Sequence, residues 1–249
     1  MSKTRMMEAY LGCSGYHYRD WRGQFYPEEL PMKKWLPYYA ERFNSVEINN
    51  SFYRLPTVKA FQGWYDQTPK HFLFTIKGSR YITHMKKLVK GPELNDSLAK
   101  IYDLASHLKE KLGPILWQLP GFLKKDINKL EGFCQSISKE FINVIEFRHT
   151  SWFDEEVYEI MRQYKVTFSM VSAPDKLPED AMLTSDIAYL RFHGKDKWYD
   201  YDYSHGELET WAKKLKKLKP KQCFAYFNND WHANAPRNCM LLESMLLKK

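Results

Sequence analysis

The feature that most constrains the fold is a regular alternation of strand-like and helix-like segments along the 249 residues of the chain. Eight short apolar runs have the β-branched and aromatic content of strands, and about seven segments carry apolar residues at the spacing of helices. Such alternation predicts parallel strands joined by right-handed crossovers. Eight units in about 250 residues match a TIM barrel. The sequence therefore predicts an α/β fold, a single TIM-like (β/α)8 barrel over residues 1–249.

The predicted elements cover most of the chain. Strands are expected at 8–15, 45–52, 72–78, 115–119, 143–149, 166–172, 187–194 and 222–229. Helices are expected at 32–43, 58–66, 96–112, 126–139, 154–164, 207–218 and 235–247. The segment 178–185 is short and broken, so the helix after strand six is expected to be irregular or missing. An open doubly wound sheet is the alternative fold, but the G-x-G-x-x-G turn that often marks it is absent from the sequence.

Composition and cysteine spacing indicate the cellular compartment of the protein. No apolar run approaches the roughly 18 residues that a membrane helix needs, so no membrane partner is expected. The first eight residues carry charge and lack the apolar stretch of a secretory signal. The cysteines are far apart and form no Cys-x-x-Cys pair: Cys13, Cys134, Cys223 and Cys239. These features favour a cytoplasmic protein with buried thiols.

The stretch 46–54 is the most informative about function. Val46 and Ile48 alternate with Glu47 and Asn49, so the apolar and polar pairs are expected on opposite faces of a strand. The same two-residue spacing recurs near the ends of strands five and seven, in Glu146/Arg148 and Arg191/His193. The carboxyl ends of the strands form the active-site face of a TIM barrel, so these polar side chains are expected to converge at one mouth.

The candidate site consists of polar and aromatic residues at or just after the strand ends. The predicted catalytic residues are Glu47, Glu146 and Lys77, with one of the glutamates as general acid/base. The predicted ligand-binding residues are Asn49, Tyr53, Arg54, Arg80, His84, Gln118, Arg148, Trp152, Arg191, His193, Asn228 and Asn229.

Positive charge exceeds negative charge at the predicted mouth. Four cations outnumber the two glutamates even when Asp230 is added, namely Lys77, Arg80, Arg148 and Arg191. A phosphate, sulfate or carboxylate group is therefore the expected ligand, because arginine offers a planar pair of donors. The alternative is a closed network of ion pairs that fills the barrel without a ligand. No metal is predicted, since the sequence has no H-E-x-x-H motif, and no cofactor is assigned.

Motifs spread over nearly the whole chain resemble one known family. They include Gly12-Cys13-Ser14-Gly15-Tyr16, Val46-Glu47-Ile48-Asn49, Phe52-Tyr53-Arg54-Leu55-Pro56, Gln118-Leu119-Pro120, Glu146-Phe147-Arg148-His149 and Tyr226-Phe227-Asn228-Asn229-Asp230. The combination resembles the domain of unknown function 72 family, the YecE-like proteins. The resemblance implies a TIM-like barrel with a polar cavity at the strand ends, and no particular activity. Two departures concern the cavity rim: Trp231-His232 replaces a common glycine, and Tyr16 a frequent tryptophan.

Three functions stay open at this point. The first is an enzyme that acts on a small phosphorylated or carboxylated compound, and the second is a ligand-binding protein without turnover. The third is a nucleic-acid binding or processing protein that uses loop aromatics and the net charge of +8. The lysines between residues 213 and 221 are more typical of a solvated helix face than of a nucleic-acid patch. A small anionic ligand is the expected partner, nucleic acid is the alternative, and no oligomeric state is assigned.

Overall fold

The computed structural model describes residues 7–247. Eight strands occur there: β1 (Glu8–Cys13), β2 (Ser45–Ile48), β3 (Leu73–Lys77), β4 (Leu112–Gln118), β5 (Asn143–Glu146), β6 (Thr167–Ser172), β7 (Ile187–Phe192) and β8 (Gln222–Phe227). They form one sheet in the order β1-β8-β7-β6-β5-β4-β3-β2, in which all paired neighbours are parallel. The sheet curls into a nearly closed barrel, so the predicted α/β barrel is confirmed.

Helices alternate with these strands. They are α1 (Trp35–Ala40), α2 (Asn50–Tyr53), α3 (Val58–Asp66), α4 (Pro92–Ser106), α5 (Ile127–Ser136), α6 (Glu155–Gln163), α7 (His205–Leu218) and α8 (Asn234–Leu247). Within residues 7–247 no helix lies between β6 and β7, which confirms the expected missing helix. None of the helices in this part of the chain is long and apolar enough to cross a membrane.

The end of β2 differs from the prediction. The strand stops at Ile48, and Asn49 already has helical dihedral angles (φ −94°, ψ −22°) ahead of α2. The Ser51 hydroxyl supports this turn, because it lies within hydrogen-bond distance of the carbonyls of Ile48 (3.0 Å) and Lys77 (2.6 Å). The prediction that Asn49 shares a strand face with Glu47 is therefore wrong.

The strands β5, β7 and β8 also end before the predicted residue. Arg148, His193 and Asn228 consequently lie in the loops that follow these strands. The alternation of apolar and polar residues continues past the last strand residue, which is why the sequence pattern overestimates the strand lengths. The backbone of these loops does not have strand geometry, so the three side chains can point across the barrel mouth.

Three elements in the first half of the chain also differ from the prediction. Helix α4 begins at Pro92 rather than Asp96, since proline fits the first helical turn, where its missing amide hydrogen has no partner to lose. Gly113 and Pro114 do not break a helix but lie in β4, where the pairing with β3 shifts register. Such an irregularity tolerates proline. The first predicted helix is a 3-10 turn, Met32–Lys34, followed by α1.

The apolar stripe of α1 packs on the barrel as predicted. Trp35 and Tyr39 lie on the helix and Phe43 just beyond it, and all three side chains are buried. Pro37 lies in the first turn of the helix, where it is tolerated. The four-residue spacing of the aromatic side chains therefore identified the buried face, although the helix itself is shorter than expected.

The barrel closes between β1 and β2 without a ladder of backbone hydrogen bonds in the described chain. Side chains make the join instead. The Asn44 side chain accepts a hydrogen bond from the amide of Leu11 (2.9 Å) and donates one to the carbonyl of Ala9 (2.8 Å). One amide side chain thus serves both backbone groups that a neighbouring strand would otherwise pair.

Tyr39 makes the second half of this join. Its hydroxyl accepts from the amide of Cys13 (2.7 Å) and donates to the carbonyl of Ser45 (3.0 Å). Gly12 makes the close approach possible, since a Cβ at that position would lie 1.9 Å from the Ser45 carbonyl oxygen. The glycine requirement here is steric, because the two backbones nearly touch.

Candidate functional site

Arg191 in β7 occupies the centre of the barrel mouth. Its side chain is fully buried. Its guanidinium donates from Nη2 to Oε1 of Glu47 (2.5 Å) and from Nη1 to Oε2 of Glu146 (2.6 Å). The Tyr189 hydroxyl donates to the other oxygen of Glu47 (2.6 Å). Tyr189 and Arg191 are two residues apart, so strand alternation places both side chains inside the barrel.

Arg148 and His193 cover this centre from the loops after β5 and β7. Arg148 donates from Nε to Oε1 of Glu146 and from Nη2 to Nε2 of His193 (3.0 Å). Nδ1 of His193 lies 3.0 Å from the side-chain amide nitrogen of Asn228. The Arg148 guanidinium also lies over the ring of Trp198, at 4.4 Å from its centre. We call Glu47, Glu146, Arg148 and Arg191 the ion-pair network.

The charges of the ion-pair network balance, with two carboxylates against two guanidinium groups. Burial opposes ionisation of Glu146, but Arg148 and Arg191 hold its pKa well below the usual range. Burial, reinforced by the same two cations, lowers the pKa of His193 well below its ordinary value, so the ring is neutral. The network that the sequence offered as an alternative is therefore present, but Lys77 is not bonded into it.

A cavity of about 640 Å³ opens beside the ion-pair network. It is lined by Tyr18, Asp20, Asn49, Tyr53, Lys77, Tyr199, Asn228, Asp230, Trp231 and His232. These residues come from the loops and strand ends at the carboxyl side of the barrel. The volume and the mixture of aromatic and polar groups suit a small-molecule ligand.

Lys77 is the last residue of β3 and lines this cavity. Within residues 7–247 its ammonium group has neither a hydrogen bond nor an ion pair, and its Nζ lies 4.3 Å from the centre of the Phe52 ring. Burial and the nearby charge of Arg191 lower the pKa of Lys77 to about 7. The amine is therefore a mixture of charged and neutral forms near neutral pH.

Asp230 is a site residue that the sequence weighed only as a charge. It follows Asn228-Asn229 after β8 and lines the cavity. Burial raises its pKa to about 8, and Asp20 and Glu47 add to the rise. Its Oδ1 is buried without a hydrogen-bond partner in the described chain. Asp230 can therefore hold a proton at neutral pH.

Other lining residues were not predicted as part of the site. Tyr18 and Asp20 lie in the aromatic loop after β1, and Tyr199, Trp231 and His232 lie in the loops after β7 and β8. The residues predicted to bind ligand lie mainly at the strand ends. The available signal was the position of these loops, since the loops after the strands form the mouth of a TIM barrel.

Trp152 and Gln118 were predicted to bind ligand and do not line the cavity. Trp152 is fully buried, donates from Nε1 to the carbonyl of Leu123 (2.6 Å) and stacks on Phe147 at 4.8 Å. The Gln118 amide donates to the carbonyl of the adjacent Leu119 (2.5 Å). Both side chains hold the loops that follow β4 and β5.

The remaining predicted residues divide between the cavity and its surroundings. Asn49 and Tyr53 line the cavity, although the Tyr53 side chain is largely exposed. Arg54 is exposed and is not among the lining residues. Asn229 donates to the carbonyl of Tyr201 and to Oδ1 of Asn238, both at 2.7 Å, and thereby fixes the loop after β7.

Arg80 and His84 follow Lys77 along the chain and make this side of the mouth rich in cations. Arg80 is exposed, and His84 packs edge-on against Phe52 with ring centres 4.9 Å apart. Burial lowers the pKa of His84 to about 4, and the charges of Lys77, Arg80 and Arg148 contribute. A neutral imidazole therefore lies among three cationic side chains.

The opposite rim carries unusual backbone geometry. His232 and Ala233 have φ values of +56° and +52°, in the left-handed region that disfavours side chains. The rim therefore makes a left-handed turn at two successive residues that are not glycine.

The lysine-rich surface around α7 is largely paired. Lys213 lies 3.1 Å from Glu209, Lys214 lies 3.9 Å from Glu179, and Lys221 contacts Asp186. Each of these ion pairs is at least partly exposed to solvent. The arrangement supports a solvated helix face more than an unpaired basic patch.

The chain is similar over nearly its whole length to a family model and to several known proteins. A family model described as "Protein of unknown function DUF72" matches residues 10–249. The UPF0759 protein YunF of Bacillus subtilis (strain 168) is 28% identical over 263 residues, covering 92% of this chain and 91% of its own. A DUF72 family protein of Thermotoga maritima superposes with a TM-score of 0.88 and 32% identity, covering 97% of this chain and 100% of that one.

A DUF72 family protein of Enterococcus faecalis superposes with a TM-score of 0.83 at 19% identity, covering 97% of this chain and 96% of that one. At this identity the likeness bears on the fold alone. The family model, by contrast, spans nearly the whole chain with its mouth residues. The chain belongs to the DUF72 family.

Proposed function

We propose that the cavity binds, and acts on, a small compound that carries a phosphate or carboxylate group. The observation that carries the proposal is the unpaired ammonium of Lys77 in the wall of the cavity. Lys77 is only partly exposed, and a cation without an acceptor in such a position is stabilised when a ligand supplies one. The anionic group of the compound therefore lies against Lys77.

The charge around Lys77 supports an anion on this side of the mouth. The ion-pair network uses both of its carboxylates on arginines, so it leaves none for Lys77 or Arg80. The charges of Lys77, Arg80 and Arg148 all reach His84, as the lowered pKa of that ring indicates. A phosphate or carboxylate that enters on this side would meet the positive charges of Lys77 and Arg80, although the acids Asp20 and Asp230 also line the cavity.

Glu47 and Glu146 remain predicted general acid/bases, but their contacts support another role. Each carboxylate already accepts hydrogen bonds on both oxygens, from Arg191 together with Tyr189 or Arg148. We propose that they position the arginines beside the cavity. Asp230, which lines the cavity and holds a proton near neutral pH, is the better candidate for proton transfer.

Thermal unfolding with and without phosphate tests the proposal. Phosphate should raise the melting temperature of the wild type, since a ligand at one hundred times its Kd stabilises by about 2.7 kcal/mol. The shift should be larger at pH 6 than at pH 8, because Lys77, with a pKa of about 7, is mostly protonated at the lower pH. The shift should disappear in Lys77→Met and persist in Lys100→Met, which changes an exposed lysine of α4.

Chloride at equal ionic strength is the control for screening. A shift that chloride reproduces, or that survives in Lys77→Met, would contradict an anion site at Lys77. Turnover of a phosphorylated or carboxylated compound would then separate an enzyme from a ligand-binding protein. Nucleic-acid binding stays an alternative, and it would appear as an affinity that falls steeply and log-linearly with salt.

We also propose a cytoplasmic location. The four cysteines are all free and buried, which suits a reducing compartment.

A further inference from the structure

Two lysines, the buried Lys111 and the partly exposed Lys77, have surroundings that differ completely. Lys111 is 4% exposed, and its ammonium donates to the carbonyls of Tyr65 (2.5 Å) and Thr68 (2.7 Å) and lies 3.3 Å from the Thr68 hydroxyl. These acceptors belong to the carboxyl end of α3, where a cation is favourable. Lys111 therefore shows how this fold satisfies a lysine whose role is structural.

Lys77 has none of these features. No acceptor within the described chain bonds its Nζ, which lies 4.3 Å from the centre of the Phe52 ring. Its other surroundings are a cavity of about 640 Å³ and the cations of the mouth. The strand end fixes its Cα, so the amine is held at the wall of a ligand-sized space without a structural task.

We propose that Lys77 is a nucleophile that forms an imine with an aldehyde or ketone bearing an anionic group. The inference rests on the proposed function and names its substrate class, a small oxo acid or a phosphorylated carbonyl compound. The anionic group would lie on the cation-rich side of the mouth, beside Lys77 and Arg80. The carbonyl carbon would then lie against Nζ of Lys77.

Formation of the imine consumes only the amine and the carbonyl compound and releases water. The nitrogen lone pair forms the C–N bond while the carbonyl π electrons move to oxygen, and a proton passes from nitrogen to that oxygen. The resulting carbinolamine loses its hydroxyl group as water, which carries away the second amine proton, and a C=N bond remains. Asp230 lines the same cavity and can donate a proton to the leaving hydroxyl and recover one from nitrogen.

The charges that face Lys77 come from several strands and explain why its amine is available. Arg191 and Arg148 disfavour a second positive charge, whereas Glu146 and Glu47 favour it. The two carboxylates are already bonded to the two arginines, and His84 beside them is neutral. Burial is the largest cause of the lowered pKa of Lys77, and the arginines act in the same direction. Part of the Lys77 population is therefore a free amine near pH 7, the form that attacks a carbonyl.

Reductive trapping with glyoxylate and cyanoborohydride tests the inference on the wild-type protein. Glyoxylate supplies an aldehyde and a carboxylate, and reduction converts its imine into a stable carboxymethyl group that peptide mapping can locate. At pH 7 we expect Lys77 to be labelled at least about ten times faster than the exposed Lys100, because an ordinary lysine with a pKa of about 10.4 is almost wholly protonated. Lys111 should remain unlabelled.

The pH profile gives a second signature. The rate at Lys77 should level off above about pH 8, one unit above its pKa, while the rate at Lys100 should continue to rise about tenfold per pH unit. Glycolaldehyde, an uncharged aldehyde of similar size, should label Lys77 more slowly than glyoxylate. Phosphate should slow the labelling of Lys77 by both aldehydes, because it would occupy the space in front of Nζ.

The variants Lys77→Arg and Lys100→Arg complete the design. Lys77→Arg keeps the charge, removes the nucleophile and should abolish the fast label, while Lys100→Arg should leave it unchanged. Equal labelling of Lys77 and Lys100 in the wild type would overturn the imine proposal, even if phosphate stabilises the protein. Fast labelling of Lys77 without any effect of phosphate or preference for glyoxylate would instead overturn the anion site and leave the nucleophile.

Discussion

The ion-pair network and the cavity beside it contain similar charged residues, but these are paired with one another in the network and lack such partners in the cavity. In the network, each carboxylate oxygen has a donor and each guanidinium has a carboxylate. In the cavity, Lys77 lacks an acceptor and Asp230 has a buried oxygen without a donor. The two regions adjoin at the ends of the same strands. Satisfied polar groups hold a fold together, whereas unsatisfied ones remain available to a ligand.

The comparison also explains why charge counting at the mouth was not sufficient. The sequence shows an excess of cations, but two arginines are already bonded to Glu47 and Glu146. The cations that remain for a ligand are Lys77 and Arg80. The site is therefore smaller and less basic than the sequence indicated, and the acid at position 230 belongs to it.

Arg191→Met should have the largest effect, because it leaves Glu47 and Glu146 buried without their shared partner. We expect a loss of about 3–5 kcal/mol in the free energy of unfolding, measured by urea denaturation. Arg162→Met is the matched control, since Arg162 pairs with Glu155 on the exposed surface of α6 and should contribute below about 1 kcal/mol. Equal losses in both variants would show that the buried network is no more important than a surface pair.

Tyr189→Phe removes a single donor from the network. The Glu47 oxygen that accepts from the hydroxyl is buried, so we expect a loss of about 1.5–3 kcal/mol, the usual range for a hydrogen bond to a charged group. Tyr65→Phe removes the exposed hydrogen bond to Glu110 and serves as the control. A Tyr189→Phe midpoint equal to that of the wild type would mean that this oxygen finds another donor.

Lys77→Met should stabilise the protein, in contrast to both network variants. The folded-state pKa of about 7 lies below the ordinary value of 10.5, so holding Lys77 charged destabilises the fold fully below pH 7. The penalty disappears as pH rises from 7 to 10.5. We therefore expect a gain of about 1–2 kcal/mol at pH 6 that is lost by pH 10. A gain that does not change with pH would show that packing, rather than charge, is responsible.

Asp230→Asn should give a smaller gain with the opposite pH dependence. The folded-state pKa of about 8 lies above the ordinary value of 3.8, so the wild type loses stability as pH rises from about 4 to 8. The variant should lack this loss and be more stable than the wild type by about 1 kcal/mol at pH 9, with no difference at pH 4. Melting curves at the two pH values check the sign. A larger gain at pH 4 would contradict the assigned proton.

The fold and part of the site could be predicted because their signals are local. The β/α alternation determines the barrel, and the spacing of Glu146 and Arg191 near strand ends places both side chains at one mouth. The hydrogen bond between Tyr189 and Glu47 joins residues 142 positions apart, and no local pattern indicates it. The strand lengths were overestimated because a strand ends where its pairing with a neighbouring strand ends. The alternation of apolar and polar residues continues beyond that point.

The division between bonded and unbonded cations could not be predicted either. Arg148, Arg191 and Lys77 all follow or end strands, and their charges are equal in the sequence. Only the three-dimensional arrangement shows that the arginines share Glu146 while Lys77 faces the cavity. Asp230 was underestimated because burial, which raises its pKa, is not visible from the residues around it.

The join between β1 and β2 gives the barrel a preferred place to open. Seven of its strand pairs are held by backbone ladders, whereas this one depends on the side chains of Asn44 and Tyr39. Amide hydrogens at Leu11 and Cys13 are protected from exchange by those two groups alone. Loss of the Asn44 side chain would therefore weaken the closure of the barrel at this join, while the backbone ladders between its other strand pairs would stay intact.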